Sequence, residues 1–308
     1  MGRLSELRVV DPVLTTLVRG YSNADFVAEN LFPIVGVVKE AGKVPTFGKD
    51  AFKIVATERA IRGNSNKIAP ETRSTVDYAC VEHDAVYPAD YREIQEDILD
   101  LQKYAAFRAQ AAVKLRCEKI CADLALDAAN YASTNKVTLS GTTQWTHASS
   151  LPIAAVRTAC EAVRTQTGKR PNVMILGALA FLALQDHATI TDRIKYSQLG
   201  VVTTELLAQI FGLKKVIVGD GVYSNDAMTA VYDIWGDNAV LAYVPEASGE
   251  MRSIYEPSYG YTLQKTGMPE VDTYLDEGGK ITNVRSTDIF IPKIVGADAG
   301  YLIKDTNA

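Results

Sequence analysis

Hydrophobic and polar positions change rhythm several times along the 308 residues, and these changes divide the chain into segments. Residues 1–38 hold two short apolar clusters punctuated by prolines, with too little sequence around them to bury them locally. We therefore expect an arm that docks on a neighbouring surface rather than a domain of its own. The apolar members of the two clusters are Val13, Leu14, Leu17, Val18, Phe26, Val27, Leu31 and Phe32.

Residues 39–86 have the pattern of long, polar-rich strands. Short strands are predicted at 44–47 and 52–55, and Val76, Tyr78 and Cys80 recur with the period of two that a strand requires. The residues at 63–66 are turn formers. The segment is predicted to be a two-stranded excursion, which is barely stable in water by itself and needs a partner surface.

The strongest predicted element is a long helix. Asp90 can act as its N-cap, and Glu93 follows three residues later as in a capping box. Residues 91–131 contain neither Pro nor Gly and are rich in helix formers. The pattern predicts one helix of about 40 residues, roughly 60 Å long. A coiled coil is the alternative, although the Ala-rich second half lacks Leu heptads.

After a polar connector at 133–147, helices and strands alternate. Helices are predicted at 152–166, after the strand 172–176, and at 203–211, where Thr203 or Thr204 caps the helix. Further strands are predicted at 215–218 and 239–244. Beyond Arg252 strand patterns dominate, at 259–263, 288–295 and 301–303, with turns at 277–279 and 296–300. The fold class predicted is α+β.

Composition narrows the functional classes. Hydrophobic residues make up 47% and charged residues 22%, as in an ordinary folded protein. The net charge of −5 argues against a protein that grips nucleic acid by bulk electrostatics. Neither a signal peptide nor a membrane-spanning run is predicted, so we expect a cytosol-like compartment. Cys117 and Cys121 lie one helical turn apart, but no further ligand is near, and the four cysteines are interpreted as buried free thiols.

Motifs for chemistry are missing. The chain has no GxxxxGK[ST], GxGxxG, GxSxG or HExxH pattern. Gly219 to Gly221 is interpreted as a turn, and the SxxK match at 133–136 as chance. No catalytic, cofactor-binding or metal site is predicted, and we expect the protein not to be an enzyme. The residues considered and set aside are Asp220, Asp226 and Asp233 for a metal and His83, His147 and His187 for acid–base catalysis.

The order of segments resembles the major capsid proteins of tailed bacteriophages, which share the Hong Kong 97-type fold. Residues 24–33 are similar to the arm segments of several phage coat proteins. The resemblance implies five parts, which are an N-terminal arm at 1–38, an E-loop at 39–86, a P-domain with a spine helix at 87–147, an A-domain at 148–275 and return strands of the P-domain at 276–308.

This resemblance implies a shell subunit that forms hexamers and pentamers around double-stranded DNA, which it contacts non-specifically. It further implies a separate scaffolding protein, a portal, in some relatives a decoration protein, and assembly in the host bacterial cytoplasm. Some relatives cross-link a Lys to an Asn, for which Lys43, Lys49, Lys53 and Lys67 and the loose candidate Asn283 lie in the matching regions. An encapsulin-like compartment, and an enzyme with an α/β core and a helical insertion, are the alternatives.

Overall fold

The computed structural model describes residues 26–46, 48–55, 57–59, 61, 63–68, 74–96, 100–194, 202–224, 229–246 and 256–308. The helices are α1 (Tyr91–Glu96), α2 (Leu101–Leu126), α3 (Pro152–Thr167), α4 (Ala178–Asp186), α5 (Ala188–Ile194) and α6 (Thr204–Phe211). The strands are β1 (Ile34–Val37), β2 (Ala41–Thr46), β3 (Ser74–Ala79), β4 (Val81–Asp90), β5 (Lys136–Thr138), β6 (Val173–Gly177), β7 (Lys215–Gly219), β8 (Val222–Ser224), β9 (Val231–Asp233), β10 (Ala239–Ala242), β11 (Gly260–Lys265), β12 (Glu270–Leu275), β13 (Ile281–Ile294) and β14 (Gly300–Lys304).

A first five-stranded sheet is organised around β13. β11 and β12 pair antiparallel with successive parts of β13, β4 pairs antiparallel with ten of its residues, and β1 adds to β11 in parallel. Helix α2 packs on β4 and β13. At its start, Ala105 and Ala106 pack against Val271 and Val284, and these small side chains let the helix approach the sheet closely.

A second five-stranded sheet has the order β5-β14-β10-β6-β7. Its central strands are buried at every position, with β6 as Val173–Gly177 and β10 as Ala239–Ala242, which is why they read as continuous apolar runs. Helices α3 to α6 contribute to one core on this sheet. The predicted strands and helices of this region are confirmed, including Thr203, whose hydroxyl accepts from Leu206 N at the start of α6.

The two strands that end the chain lie in different sheets. β13 is the hub of the first sheet, whereas β14 pairs with β10 and β5 in the second. The segment 276–308 therefore does not form a single layer. The division into arm, E-loop, P-domain and A-domain stays a prediction.

The predicted single helix over 91–131 is wrong in its extent. The long helix is α2, with 26 residues, and it spans about 39 Å at 1.5 Å per residue. Asp100 is its N-cap and accepts from Lys103 N at 3.3 Å, while Asp127 turns extended and ends it. The start of α2 needs neither Gly nor Pro, because the Asp100 carboxylate accepts from one of the free N–H groups of the first turn.

The capping box at Asp90 is confirmed, but it caps α1. The Asp90 carboxylate accepts from Arg92 N at 2.9 Å, and Glu93 accepts from Asp90 N at 3.4 Å. The strand predicted at 52–55 is wrong. Residues Lys49–Phe52 form a 3-10 turn, and the chain that follows has no strand partner among the described residues.

The expected docking of the second arm cluster on a neighbour is also wrong. Val27, Leu31 and Phe32 are buried inside their own chain, and β1 follows them into the first sheet. Local sequence alone is too short to bury these side chains, but strands more than 200 residues away supply the missing surface. The first cluster, around Leu14 and Leu17, lies outside the described residues.

Candidate assembly surface and its internal junction

Glu118, in the middle of α2, joins three distant parts of the chain. Its Oε1 accepts from Val27 N at 3.1 Å and from Trp235 Nε1 at 2.8 Å, and its Oε2 accepts from Ala28 N at 2.9 Å. The side chain is only 3% exposed. We call these four residues the Glu118 junction. It fixes the start of the described chain, at Val27 and Ala28, against α2 and Trp235.

The electrostatics of this junction are those of a buried acceptor. Burial raises the pKa of the Glu118 carboxyl, and the hydrogen bonds from Trp235 and the two backbone amides act in the opposite direction. A buried carboxylate with three donors is satisfied, whereas the same group without them would carry a large desolvation cost. The junction therefore depends on all of its partners being in place.

An aromatic stack continues the junction across the subunit. The rings of Phe32 and Tyr259 lie 5.5 Å apart, and Tyr259 stacks on Tyr131 at 6.0 Å. The Tyr131 hydroxyl donates to Ala125 O near the end of α2 at 2.8 Å. Gly260 lies beneath Phe32, since a Cβ there would come within 2.5 Å of the ring. This stack ties the start of the described chain to α2 and to the first sheet.

The turn of Trp235 and Gly236 lies against glycines at the ends of β6 and β7, with the indole over Gly219 and the backbone over Gly177. A Cβ at Gly219 would lie 2.3 Å from the indole, and a Cβ at Gly177 would lie 1.8 Å from Gly236 O. Gly219 is the last residue of β7, and Asp220 and Gly221 link it to β8. The glycine at 219 makes room for a tryptophan.

The excursion spans residues 41–79, and its base, formed by β2 and β3, is anchored to the first sheet. β2 and β3 pair antiparallel from Ala41 and Ala79 to Thr46 and Ser74. Val44 is buried in a cluster with β1 and β11, to which Tyr78 contributes. Farther out, Lys49 pairs with Asp298 at 3.1 Å. The excursion therefore starts from a fixed base and reaches back to the loop before β14.

Beyond this base the excursion carries large apolar side chains in solvent. Ile54 is 97% exposed, Ile61 95% and Ile68 76%. Phe52 is 58% exposed although its ring lies over Gly168. Single exposed apolar residues are common on protein surfaces, but three strongly exposed isoleucines on one excursion make it a candidate binding surface. We call Phe52, Ile54, Ile61 and Ile68 the excursion patch.

The residues considered for chemistry are not brought together into a site. All four cysteines are free, with Cys121 and Cys160 buried and Cys80 and Cys117 half-buried. Burial raises the pKa of the Cys121 thiol well above its usual range. No three metal-ligating side chains cluster within the described ranges. Asp220 precedes β8 and Asp233 is the last residue of β9, whereas Asp226 lies outside those ranges.

The remaining candidates have structural contacts. Lys136 donates from Nζ to Ala128 O at 2.6 Å, so the SxxK match at 133–136 holds a loop in place. His187 contacts Ser150 Oγ at 2.9 Å, and the His147 ring accepts from Ser149 N. His83 stacks on Phe290 at 4.4 Å, and burial lowers its pKa.

The cross-linking candidates are placed as follows. Asn283 lies on β13 between Pro88 and Tyr274. Lys43 pairs with Asp77 at 3.7 Å on the excursion, and Lys49 pairs with Asp298. Lys53 and Lys67 are exposed. Each of the four lysines belongs to the excursion, whereas Asn283 belongs to the first sheet.

Two features escaped the sequence reasoning. Glu118 stands among other polar helix residues, so nothing local marks it as buried. Asp288 lies on β13 opposite His83 of β4, two residues that are 205 positions apart.

The described residues also contain no helix with the length and apolar character that crossing a membrane requires.

Comparison with known proteins agrees with this architecture. A family described as "Phage major capsid protein E" matches residues 128–279. The major capsid protein of Burkholderia phage BcepMu is 49% identical over 308 residues, which are all of both chains. A crystal structure of a phage-related protein from Bordetella bronchiseptica is 32% identical, with a TM-score of 0.82 over 97% of this chain and 98% of that one.

More distant structures share the fold. The mature capsid of bacteriophage PhiM1 has 11% identity and a TM-score of 0.58 over 94% of this chain and 89% of that one. The SrpI encapsulin of Synechococcus elongatus has 12% identity and a TM-score of 0.52 over 97% and 98%. The fold alone therefore does not separate a phage capsid from an encapsulin, but the full-length identity to a phage protein does. The chain belongs to the major capsid proteins of tailed bacteriophages, with the Hong Kong 97-type fold.

Proposed function

We propose that this chain assembles into hexamers and pentamers of a closed icosahedral head, and that the excursion patch is the part of each subunit that binds the next. The head would enclose the double-stranded DNA genome. The observation that carries the proposal is the excursion patch, whose three isoleucines are strongly exposed.

Burial of these exposed apolar side chains by a neighbouring subunit would stabilise the contact between the two. Covering an apolar side chain of this size contributes about 1.5 to 3 kcal/mol. Three isoleucines and a partly covered phenylalanine on each subunit can therefore stabilise a contact strongly when it is repeated. A patch on the excursion that meets a different surface on the next subunit makes a heterologous contact, and such contacts close into rings when the rotation allows.

Anchoring makes the patch useful for assembly. Val44 and Tyr78 pack the base of the excursion on the first sheet, so the excursion starts from a fixed position. The ion pair between Lys49 and Asp298 holds a second point of the excursion to the loop before β14. A surface that is partly ordered before binding loses less conformational entropy when it docks.

Charge fits the contents proposed for the shell. The net charge of −5 disfavours tight binding of DNA, and a shell has to enclose the genome without holding it. By analogy with the family, a scaffolding protein, a portal and in some cases a decoration protein would act with this chain, and assembly would take place in the cytoplasm of the host bacterium.

Paired substitutions in one loop test the proposal. Ile54→Asn removes an apolar side chain that is 97% exposed, while Lys53→Asn changes its exposed neighbour. Both variants should keep the parent's circular dichroism spectrum, since neither position is buried. In sedimentation and electron microscopy, Lys53→Asn should assemble as the parent does, and Ile54→Asn should remain as small species. Normal particles from the Ile54→Asn, Ile61→Asn double variant would contradict the proposal.

A further inference from the structure

Strand β4 lies at the border of the first sheet, and one of its two edges has no partner strand. It pairs with β13 along Val81–Asp90, and no other strand pairs with it among the described residues. In the same register, Tyr91 N donates to Lys280 O at 2.9 Å. Because hydrogen-bonded pairs alternate along an antiparallel ladder, the odd-numbered residues of β4 bond to β13 and the even-numbered ones point outward. A free strand edge of this kind can accept a strand from another chain.

Three residues of β4 present their backbone groups along this edge, namely Glu82, Asp84 and Val86. All three are exposed, and no strand among the described residues covers them. Farther along, Pro88 has no N–H to offer, and the N–H of Asp90 donates to a side chain of α1. The open edge is therefore short, and it carries two carboxylates.

Next to this edge, a cleft of about 410 Å³ opens between β4 and α2. The odd-numbered residues of β4 face α2, as the ring contact between Tyr87 and Tyr104 shows. The cleft is lined by Ala85 and Tyr87 from the strand and by Ala112 and Leu115 from the helix. The alanines leave room for a bulkier apolar side chain that arrives with an added strand.

Residues 53–55 of the excursion have the properties that this edge requires. They belong to no helix or strand of the subunit, although Ile54 and Val55 are β-branched residues that favour strands. Ile54 is 97% exposed. Lys53 is exposed beside it, and its charge is opposite to that of the two carboxylates on the edge. The segment and the edge therefore complement each other between two copies of the chain.

We propose that residues 53–55 of one copy add to the free edge of β4 in the next copy as a short parallel strand, with Ile54 beside Ala85 in the cleft. The inference rests on the proposed function, and it names the surface of the next subunit that Ile54 meets. Each copy offers the segment on its excursion and the edge on its first sheet. The contact is therefore heterologous and can continue around a ring.

The direction of the added strand follows from its neighbours. With Ile54 in the cleft, a parallel strand places Lys53 beside Asp84 and Val55 beside Val86. An antiparallel strand would place Val55 beside the Asp84 carboxylate and Lys53 beside the apolar Val86. The exposed ion pair sets the direction and contributes little to the strength of the contact. The strength comes from the burial of Ile54 and from the backbone hydrogen bonds.

Proline substitutions on the edge test the backbone pairing. In the parallel register Ile54 N donates to Asp84 O, and Val86 N donates to Ile54 O. Val86→Pro removes the second bond and leaves the pairing of β4 with β13 in place. Glu82→Pro is the matched control, because the N–H of residue 82 points to the same edge but lies outside the proposed pairing. Pro88 already occupies an outward position of β4, so both variants should keep the parent's circular dichroism spectrum.

Sedimentation and electron microscopy of the full chain give the readout. Glu82→Pro should form rings or shells as the parent does, and Val86→Pro should remain as single subunits. Normal shells from Val86→Pro would overturn the inference and leave the proposed function standing. A parent chain that forms neither rings nor shells would overturn both.

Disulfide trapping tests the register independently of proline. The Val55→Cys, Val86→Cys double variant brings two thiols side by side on neighbouring copies, at a separation that a disulfide can bridge. Oxidised at concentrations where the parent assembles, it should give a ladder of covalent multimers on a non-reducing gel. The Val55→Cys, Glu82→Cys variant carries the same number of thiols and should give no ladder. Equal ladders from both variants, or no ladder from the first, would overturn the proposal.

Discussion

Trp235 donates a hydrogen bond from its indole Nε1 to Glu118 Oε1 at 2.8 Å, and both side chains are almost fully buried. A turn of the α/β half and the middle of the long helix are thereby joined in the interior of the subunit. The same carboxylate holds the backbone amides of Val27 and Ala28. One side chain thus connects three segments that the sequence places far apart.

Replacing Glu118 by leucine should destabilise the subunit strongly. The change leaves three buried donors without an acceptor, and each such donor costs about 1 to 3 kcal/mol. We expect a loss of at least about 3 kcal/mol in the free energy of unfolding, measured with urea on the unassembled chain. The exposed Glu29→Leu variant serves as the control, and a Glu118→Leu protein as stable as that control would refute the account of the junction.

A methyl group at Gly177 should be poorly tolerated. The added Cβ would lie 1.8 Å from Gly236 O, so the turn that carries Trp235 has to move. Such overpacking costs about 1 to 3 kcal/mol, which is measurable as a lower melting temperature of Gly177→Ala. Gly278→Ala is the matched control, since its Cβ meets nothing within 4 Å. Equal melting temperatures for the two variants would show that the turn adapts freely.

Asp288 should make the subunit less stable as the pH rises from 4 to 7. Its pKa is about 6 in the folded protein and ordinary when unfolded, so the folded state holds the extra proton in that window. The contribution favours folding at low pH and is lost as pH rises through 6, by up to about 3 kcal/mol.

Comparing Asp288→Asn with the parent in urea unfolding at several pH values isolates this effect. His83 lies opposite Asp288 and titrates with the opposite sign, because burial lowers its pKa. Lys114 on α2 and Gln264 on β11 are the other polar neighbours. The difference between parent and variant should change with pH between 4 and 7, and parallel curves would rule out the raised pKa.

Two truncations separate assembly from folding in the N-terminal segment. Removing residues 1–25 leaves the Glu118 junction intact, so the subunit should still fold. Because the N-terminal arm is expected to dock on a neighbouring surface, the truncated subunit should fail to form closed shells. Removing residues 1–32 also deletes Val27, Leu31 and Phe32, which are buried, and should prevent stable folding. Circular dichroism measures folding, and electron microscopy detects closed shells. Closed shells from the shorter truncation would show that residues 1–25 are not needed for assembly.

The sequence predicted the elements whose signals are local. The apolar run of β6, the threonine cap of α6 and the capping box at Asp90 all act within a few residues, and each is confirmed. The overall order of segments was enough to place the chain in its capsid family.

What the sequence could not predict depends on contacts between distant residues. Phe32 is buried by contacts with Tyr259 and Gly260, which lie more than 220 positions away in the sequence. No local sequence pattern indicates these contacts. The boundaries of α2 are set by two aspartates, Asp100 and Asp127. Aspartate also occurs inside helices, so the residue type alone does not mark a boundary. A cavity beside Gln110 and Ser286 arises where α2 crosses β13, so neither segment shows it alone.

Electron microscopy of the purified full-length chain, combined with analytical sedimentation, tests the central claim most directly. A capsid subunit with an uncovered excursion patch should form six- and five-membered rings or closed spherical shells as its concentration rises. A chain that stays monomeric or dimeric at every concentration, with no rings or shells in the images, would contradict the account.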